Sequence, residues 1–87
     1  GSIVNVTAAD GTKAVVLPAI SSVTLGTIFV ILNNNASNAL EVFPATDDLI
    51  NPAADNAAIT VAADTILLCI ALDATQWFGS ELPIVGA

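Results

Sequence analysis

Few side chains in this 87-residue chain could carry out chemistry. Nucleophilic catalysis needs a nucleophile beside a base, and with no His and no Arg the only basic side chain is Lys13. Lys13 would have to activate Cys69 or a hydroxyl group. It follows a turn signal at Asp10-Gly11, where a solvated charge that discourages stray strand pairing is the better interpretation. We therefore predict no catalytic residue and no enzyme.

A second possible centre is the acidic loop that contains Asp47, Asp48, Asn51 and Asp55. Loop oxygen atoms of this kind suit Ca²⁺, although their spacing does not match an EF-hand. Asp47 and Asp48 are sequence neighbours that project in different directions, which disfavours a pair of glycosidase carboxylates. We interpret the loop as solvated, keep Asp47, Asp48 and Asp55 as weak metal candidates, and predict no cofactor.

The overall composition points to a protein that assembles with other proteins. Apolar residues make up 55% of the chain and charged residues 10%, against about 25% charged in ordinary domains. A folded chain of this mass exposes about 4,700 Å² of surface. So apolar a sequence has too few polar residues to cover that surface, and apolar side chains must remain exposed on a single chain. Identical copies are the commonest permanent partners, so we predict an obligate homo-oligomer. The candidate contact residues are Phe43, Trp77, Phe78, Ile28, Val30 and Leu67.

Two of the apolar residues allow a structural interpretation as well. Cys69 lies in the apolar run 66–72, where a free thiol usually behaves as a small buried hydrophobe. Trp77 could pack in the core or dock a partner, since aromatic residues are enriched at interfaces. The sequence favours neither interpretation of Trp77 over the other.

Charge excludes further classes of partner. The chain has eight acidic residues and one lysine, whereas nucleic-acid binding needs Lys and Arg to displace counterions from phosphate. Anionic membranes are disfavoured for the same reason. The longest apolar runs, 28–32 and 66–72, are far shorter than the ~18 residues that span a bilayer as a helix. We expect neither nucleic acid nor membrane as a partner.

Short β-branched segments between dense turn signals predict an all-β fold of about seven or eight strands, a small antiparallel sandwich or jelly-roll-like barrel. The Asn-rich segment 33–38 is predicted to close a hairpin between two of these strands. Gly1-Ser2 looks like the remainder of a cleaved expression tag, which leaves residues 3–87 as one domain. The predicted strands are 3–7, 13–17, 27–32, 39–43, 49–50, 57–61, 65–72 and 76–78, with 82–85 as a further edge or arm.

The order of several short motifs resembles a pattern found in small structural proteins of phage virions. The resemblance covers about residues 14–78. It departs from the pattern at Asp47-Asp48 and Pro52, which stand where those proteins have glycine. The motifs are Val16-Leu17-Pro18-Ala19, Asn33-Asn34, Asn38-Ala39-Leu40-Glu41-Val42-Phe43-Pro44-Ala45, Asp48-Leu49-Ile50-Asn51, the segment 56–62, and Thr75-Gln76-Trp77-Phe78.

The resemblance implies a β-rich module of the virion surface, usually trimeric and without catalytic residues. The leading hypothesis is a capsid decoration, or cement, protein: a homotrimer that binds the major capsid protein or another virion protein and whose copies bury the faces of strands 27–32 and 65–72. The alternative hypothesis is a receptor-binding or tail-fibre module that recognises a bacterial surface glycan through the Asn-rich turn and Trp77.

Overall fold

The chain folds into short β-strands, which confirms the all-β prediction. The computed structural model describes residues 2–7, 9–10, 12–51 and 57–83, and within them there are eight strands and one 3-10 turn, Ile20–Ser22. No helix in these ranges is long and apolar enough to cross a membrane. The strands are β1 Ser2–Val6, β2 Ala14–Val16, β3 Ile28–Asn33, β4 Leu40–Phe43, β5 Leu49–Ile50, β6 Ile59–Val61, β7 Thr65–Ala71 and β8 Gln76–Pro83.

The observed boundaries of β1 to β7 agree with the predicted ones to within two residues. The last strand differs more. The sequence predicts a strand at 76–78, whereas β8 runs from Gln76 to Pro83 and is the longest strand described. It therefore includes Leu82, which was expected in a separate edge or arm; residues 84 and 85 lie outside the described residues.

Two sheets enclose the core. The large sheet has the strand order β1-β3-β7-β8-β5, and the small sheet has the order β2-β4-β6. From β1 to β7 the chain crosses from one sheet to the other at every step, and only β7 and β8 follow each other within one sheet. The architecture is a sandwich of two sheets, and the chain winds around the core that lies between them.

The prediction of a purely antiparallel fold is wrong, because both sheets are mixed. β1 and β3, β2 and β4, and β5 and β8 pair in parallel. In each pair the partner lies 27 residues further along: Ser2 is opposite Phe29, Ala14 opposite Glu41, and Leu49 opposite Gln76. Parallel neighbours need a crossover connection, and here the crossover passes through the opposite sheet. One circuit of the core thus takes about 27 residues.

The predicted hairpin between β3 and β4 is also wrong. These two strands lie in different sheets, and the partner of β3 across the large sheet is β7, which pairs with it antiparallel from Ile28 opposite Ile70 to Asn33 opposite Thr65. The Asn-rich segment is therefore a connection between the sheets. Turn-forming residues mark a change of direction whether the next strand is a hairpin partner or lies across the core.

Side chains from both sheets meet in the core. Leu40, Val42 and Val61 of the small sheet pack with residues of the large sheet. Within the large sheet, the ring of Trp77 packs edge-on against Phe29, with centroids 5.5 Å apart and planes at 77°. The surface area is 4678 Å², close to the value expected for a folded monomer of this mass. One chain thus has an ordinary buried core. Its buried apolar members are Ala9, Leu17, Ile20, Ile31, Leu40, Val42, Ile50, Val61, Leu67, Cys69, Ala71 and Trp77.

Candidate functional site

Lys13 and Cys69, the two residues considered for catalysis, are placed in different environments. Lys13 is exposed, and its Nζ lies 3.3 Å from Asp10 Oδ2 in a local ion pair. Asp10 Oδ1 also accepts hydrogen bonds from the hydroxyl and the backbone N–H of Thr12. These bonds from Thr12, with a further contribution from Lys13, lower the pKa of Asp10 to about 2. The group stabilises a turn before β2.

Cys69 is fully buried on the core side of β7. Burial disfavours the thiolate and raises the pKa of the thiol to about 11, so the reactive form is scarce at neutral pH. Its position agrees with the interpretation of Cys69 as a small hydrophobe.

The acidic loop is organised by bonds to its own chain. The buried Asp48 accepts a hydrogen bond at Oδ2 from the backbone N–H of Ile20, at 2.9 Å, which ties the loop to the 3-10 turn. Asp47 is exposed and has a φ of 68°, a left-handed conformation that Asp tolerates better than most residues. No group of three metal-ligating side chains occurs within the described part of the chain. Asp55 lies outside it.

Asn51, the fourth residue of that loop, takes part in sheet formation. Its Nδ2 donates to the carbonyl oxygen of Gly79 at 3.1 Å, and its Oδ1 accepts from the Gly79 N–H at 2.9 Å. The carboxamide thus presents one donor and one acceptor to β8, as the next residue of a strand would. It extends the pairing of the two-residue strand β5 by one position.

The Asn-rich connection is a hydrogen-bonding centre for neighbouring loops. Asn33 is buried, and its Nδ2 lies 2.9–3.1 Å from the carbonyl oxygens of Asn38, Val61 and Ala62. Asn35 Oδ1 accepts from two backbone N–H groups within the same turn. Asn35 and Asn38 also donate through Nδ2 to the carbonyls of Thr7 and Ala9. These side chains are engaged in holding the chain together.

Two of the predicted contact residues belong to the core of a single chain. Trp77 is 0% exposed and Leu67 is 1% exposed, so neither side chain offers surface to a partner, and the placement of these two in an interface is corrected. The prediction that Trp77 contacts a glycan is corrected for the same reason, because its ring is not accessible to a ligand. Phe43 is half-buried in the small sheet opposite Val16.

The other three predicted contact residues, Ile28, Val30 and Phe78, lie together on the face of the large sheet that points away from the core. Strand β7 shows why this face exists, since its alternate residues Leu67, Cys69 and Ala71 are fully buried and those between them are partly exposed. Successive side chains of a strand point to opposite faces. We call this surface the outer face; its apolar members are Ile3, Ile28, Val30, Leu32, Ile66, Leu68, Ile70, Phe78 and Leu82.

Cross-strand pairing arranges the outer face in three rows. One row contains Ile28, Ile70 and Phe78, and the middle row joins Ile3, Val30, Leu68 and Ser80. Side chains directly opposite each other on one face are about 5 Å apart, so each row is continuous. The third row contains Asn5, Leu32, Ile66 and Leu82.

The outer face carries no charged residue within the described part of the chain. Glu81 lies on β8 opposite Leu67, and the alternation of the strand directs it to the other side of the sheet. Glu41 lies on the small sheet. The remaining described charges lie in the connections: Asp10, Lys13, Asp47, Asp48, Asp64 and Asp73.

The sequence does not show how far this surface extends. Strands 27–32 and 65–72 were predicted to bury a face against other copies, but Ile3 and Leu82 were not recognised as parts of the same surface. The alternating positions Ile66, Leu68 and Ile70 within one apolar run were a usable signal, because a strand covered on one face alone would carry polar residues there. The contribution of β1 could not be seen without the pairing.

An apolar sheet face of this kind can bind another protein surface, and no cavity or cleft is found among the described residues that would hold a small ligand. Comparisons with protein-family models, with curated proteins and with solved structures give no match for the chain. The geometry of the chain itself is therefore the guide to its function. The chain is a β-sandwich whose charged residues lie mostly in the connections between strands and whose large sheet has one uncharged apolar face.

Proposed function

We propose that this chain is a non-enzymatic structural protein of a phage virion, a capsid decoration protein that acts as a homotrimer and binds the major capsid protein or another virion protein. The observation that carries the proposal is the outer face. A monomeric soluble protein seldom exposes a contiguous apolar patch of more than a few hundred Å² unless the patch binds something.

The outer face is about as large as the largest apolar patch of a typical monomer, a patch that is often functional. It extends over four strands, β1, β3, β7 and β8, and over five residues along β3, from Ile28 to Leu32. With strands about 4.8 Å apart and about 3.3 Å per residue, the footprint is roughly 19 by 17 Å, on the order of 300 Å² in projection. The accessible area is larger still because side chains stand up from the sheet.

The proposed mechanism is thermodynamic. A protein that binds the assembled lattice and not its separate subunits stabilises the lattice by mass action, by about 2.7 kcal/mol per site when it is present at a hundred times its dissociation constant. Three linked copies make the second and third contacts intramolecular, which multiplies weak contacts. No step requires a catalytic group or a cofactor.

The distribution of charge is suited to display on a particle. The net charge is −7, and the described charges lie in the connections, on the small sheet and on the core side of β8, away from the outer face. Like charge keeps particles apart in solution. An uncharged contact face with an acidic exterior therefore allows close packing between subunits without association of whole particles.

The test uses heads of the parent phage prepared from a strain that lacks this chain. We expect the purified protein to co-sediment with expanded heads, to saturate at a fixed ratio to the capsid subunit, and to raise the temperature at which the heads release DNA. Bovine serum albumin at the same concentration is the control for crowding. Heads that bind no protein and melt at an unchanged temperature would contradict the proposal.

A further inference from the structure

We propose that the free edge of β1 is a docking site for an extended segment of another protein, which joins the large sheet as an additional strand. The segment carries apolar side chains on alternate residues and is neutral or basic. This edge is distinct from the outer face, and its role does not depend on the proposed function.

The hydrogen bonds between β1 and β3 show which backbone groups of β1 face the free edge. The carbonyl oxygen of Val6 accepts a hydrogen bond from the backbone N–H of Asn34 at 2.8 Å, so Val6 is one of the residues that bond the neighbouring strand. In a parallel ladder such residues alternate with residues whose N–H and C=O groups point the other way. Val4 therefore also faces β3, whereas Ile3 and Asn5 direct their N–H and C=O groups to the free edge. These backbone groups have no hydrogen-bond partner in the part of the chain that the structure describes.

Among the described strands, β1 forms the longest sheet edge that has no protecting residue. It has five residues, none of them charged and none of them proline. At the other edge of the large sheet, β5 has two residues, and the part of β8 beyond it carries Glu81 and ends at Pro83. The edge strands of the small sheet, β2 and β6, have three residues each. Short strands, charges and prolines keep an edge from pairing with another chain, so β1 is the edge that remains open to strand addition.

The side chains of β1 show that the core is not fully covered at this edge. Val4 and Val6 pack against the core, yet both remain partly exposed. Ile3, on the opposite face of the strand, is 77% exposed. A strand added about 4.8 Å from β1 places its alternate side chains beside these residues, one set next to the two valines and the other next to Ile3. Apolar side chains on the core side of the added strand would complete the cover of the two valines.

The length of the edge favours an extended segment over a second copy of this chain. Five residues at about 3.3 Å each span roughly 17 Å, and packed sheets are about 10 Å apart. Two copies joined along this edge alone would each bury on the order of 170 Å², against about 800 Å² per partner in a standard interface. An extended segment needs no such area when the rest of its protein is bound elsewhere, because tethering makes the pairing intramolecular.

The unpaired groups and the charge of the chain define the chemistry of the segment. N–H and C=O groups that repeat along an edge pair with the backbone of an extended peptide, and these main-chain bonds supply the affinity in strand addition. The net charge of −7 attracts a basic segment and repels an acidic one.

The test measures hydrogen exchange at single N–H groups of the full chain by NMR, with and without a synthetic peptide. The peptide alternates valine and threonine, has a lysine at each end, and is blocked at both termini. The control peptide has two adjacent prolines at its centre, which remove donors from both of its edges. At about 5 mM peptide, we expect exchange at Ile3 and Asn5 to slow at least threefold, which corresponds to a peptide concentration of about twice the dissociation constant. The control peptide should change neither rate.

Two variants at one position test whether the backbone of β1 carries the binding. Asn5→Pro removes a donor from the free edge, where proline is tolerated in a strand, and Asn5→Ala is the matched control because it keeps the N–H. We expect Asn5→Ala to bind the peptide as the wild type does, and Asn5→Pro to lose the slowing at Ile3. The fluorescence of Trp77, which is buried in the core, shows whether each variant is folded. Should Asn5→Pro be unfolded, the comparison of the two peptides on the wild type decides.

Three results would overturn the proposal. Exchange rates at Ile3 and Asn5 that do not change with the peptide would refute strand addition at β1. Shift changes confined to the methyl groups of Leu68 and Ile70 would place the peptide on the outer face instead of the edge. Slow exchange at Ile3 and Asn5 without any peptide would show that the edge is already paired, by a second copy if the rate depends on protein concentration.

Discussion

Asn33 is placed where the two sheets are joined by side-chain hydrogen bonds. It ends β3 in the large sheet, and its Nδ2 lies near the carbonyl oxygens of Val61, the last residue of β6, and of Ala62. A buried carbonyl that loses its donor costs about 1–3 kcal/mol. The carboxamide nitrogen of this buried residue at the end of β3 is therefore engaged by backbone carbonyls, while its Oδ1 is buried without a hydrogen-bond partner among the described residues.

We expect Asn33→Ala to lower the free energy of unfolding by about 2–4 kcal/mol and the melting temperature by roughly 8–32 °C. The reason is that Asn38, Val61 and Ala62 share the donor that the substitution removes. Asn34→Ala is the control, since its side chain is exposed in the same connection. Urea and thermal denaturation give both values. Equal stability of the two variants would show that the side chain of Asn33 does not join the sheets.

The reactivity of the Cys69 thiol tests whether this position of the core is closed to solvent. Because burial raises the pKa of its thiol to about 11, we expect its reaction with a disulfide reagent at about pH 8 to be at least a hundredfold slower in the native than in the urea-unfolded protein. The raised pKa also means that this group contributes its full stability below the unfolded value of 9.0 and loses it as the pH rises toward about 11. Rapid modification of the native protein would place the thiol at the surface.

At the level of the strand, the side chain of Asn51 makes the hydrogen bonds to β8 that a third residue of the short strand β5 would make through its backbone. Its carboxamide gives and receives one hydrogen bond with Gly79, and its φ of 59° is left-handed, which Asn adopts more readily than most residues. The fit at this point is close, since a Cβ on Gly79 would come within 3.2 Å of Ile50 Cγ2. β5 is held to the sheet by this contact and by two paired residues.

We expect Asn51→Ala to destabilise the protein by about 2 kcal/mol, or roughly 8–16 °C in melting temperature, because both bonds are lost and the left-handed backbone becomes less favourable. Asn51→Asp keeps the acceptor for the Gly79 N–H and loses only the donor, so its loss should be smaller. Hydrogen exchange at the Gly79 N–H measures the local effect and should be faster in Asn51→Ala, which has no acceptor there, than in Asn51→Asp, which keeps one. An Ala variant as stable as the wild type would refute the role of this residue in pairing.

Most elements of the fold could be predicted, and their partners could not. The run 66–72 is apolar without interruption, and this local property correctly indicated β7 as a strand. The pairing of β3 with β7 and the parallel pairing of β1 with β3 depend on contacts across 27 residues and more, for which local turn signals give no information. The same signals at 33–38 are compatible with a hairpin and with a crossing between sheets.

The candidate site was predicted in part for the same reason. Ile28, Val30 and Leu67 were chosen as contact residues from the two long apolar strands, and Phe78 and Trp77 were chosen because aromatic residues are enriched at interfaces. The structure places Ile28, Val30 and Phe78 on the outer face. Leu67 and Trp77 point inward, to the core. Alternation determines the face of each residue only after the register is known, since a shift of one residue exchanges the two faces.

At the scale of the whole molecule, apolar composition and surface area have to be considered together. The chain has the surface area of an ordinary monomer, so the expected excess of apolar residues does not leave the core incomplete. The excess is instead concentrated on one side of the large sheet. Because the core is intact without the outer face, a single chain can fold, and we expect the proposed assembly through that face to add further stability.

We therefore expect the melting temperature to depend on protein concentration. For a trimer that dissociates as it unfolds, a tenfold rise in protein concentration raises the free energy of unfolding by about two-thirds of 1.4 kcal/mol per chain. For a domain of this size, the melting temperature then rises by roughly 4–7 °C. Differential scanning calorimetry at about 5 and 500 µM should show twice that shift for the wild type and for Val16→Asp, the control on the small sheet. Leu68→Asp should melt at one temperature throughout, because a charge at the centre of the outer face prevents assembly. A wild-type melting temperature that is the same at both concentrations would mean that the outer face does not contribute to stability through other copies.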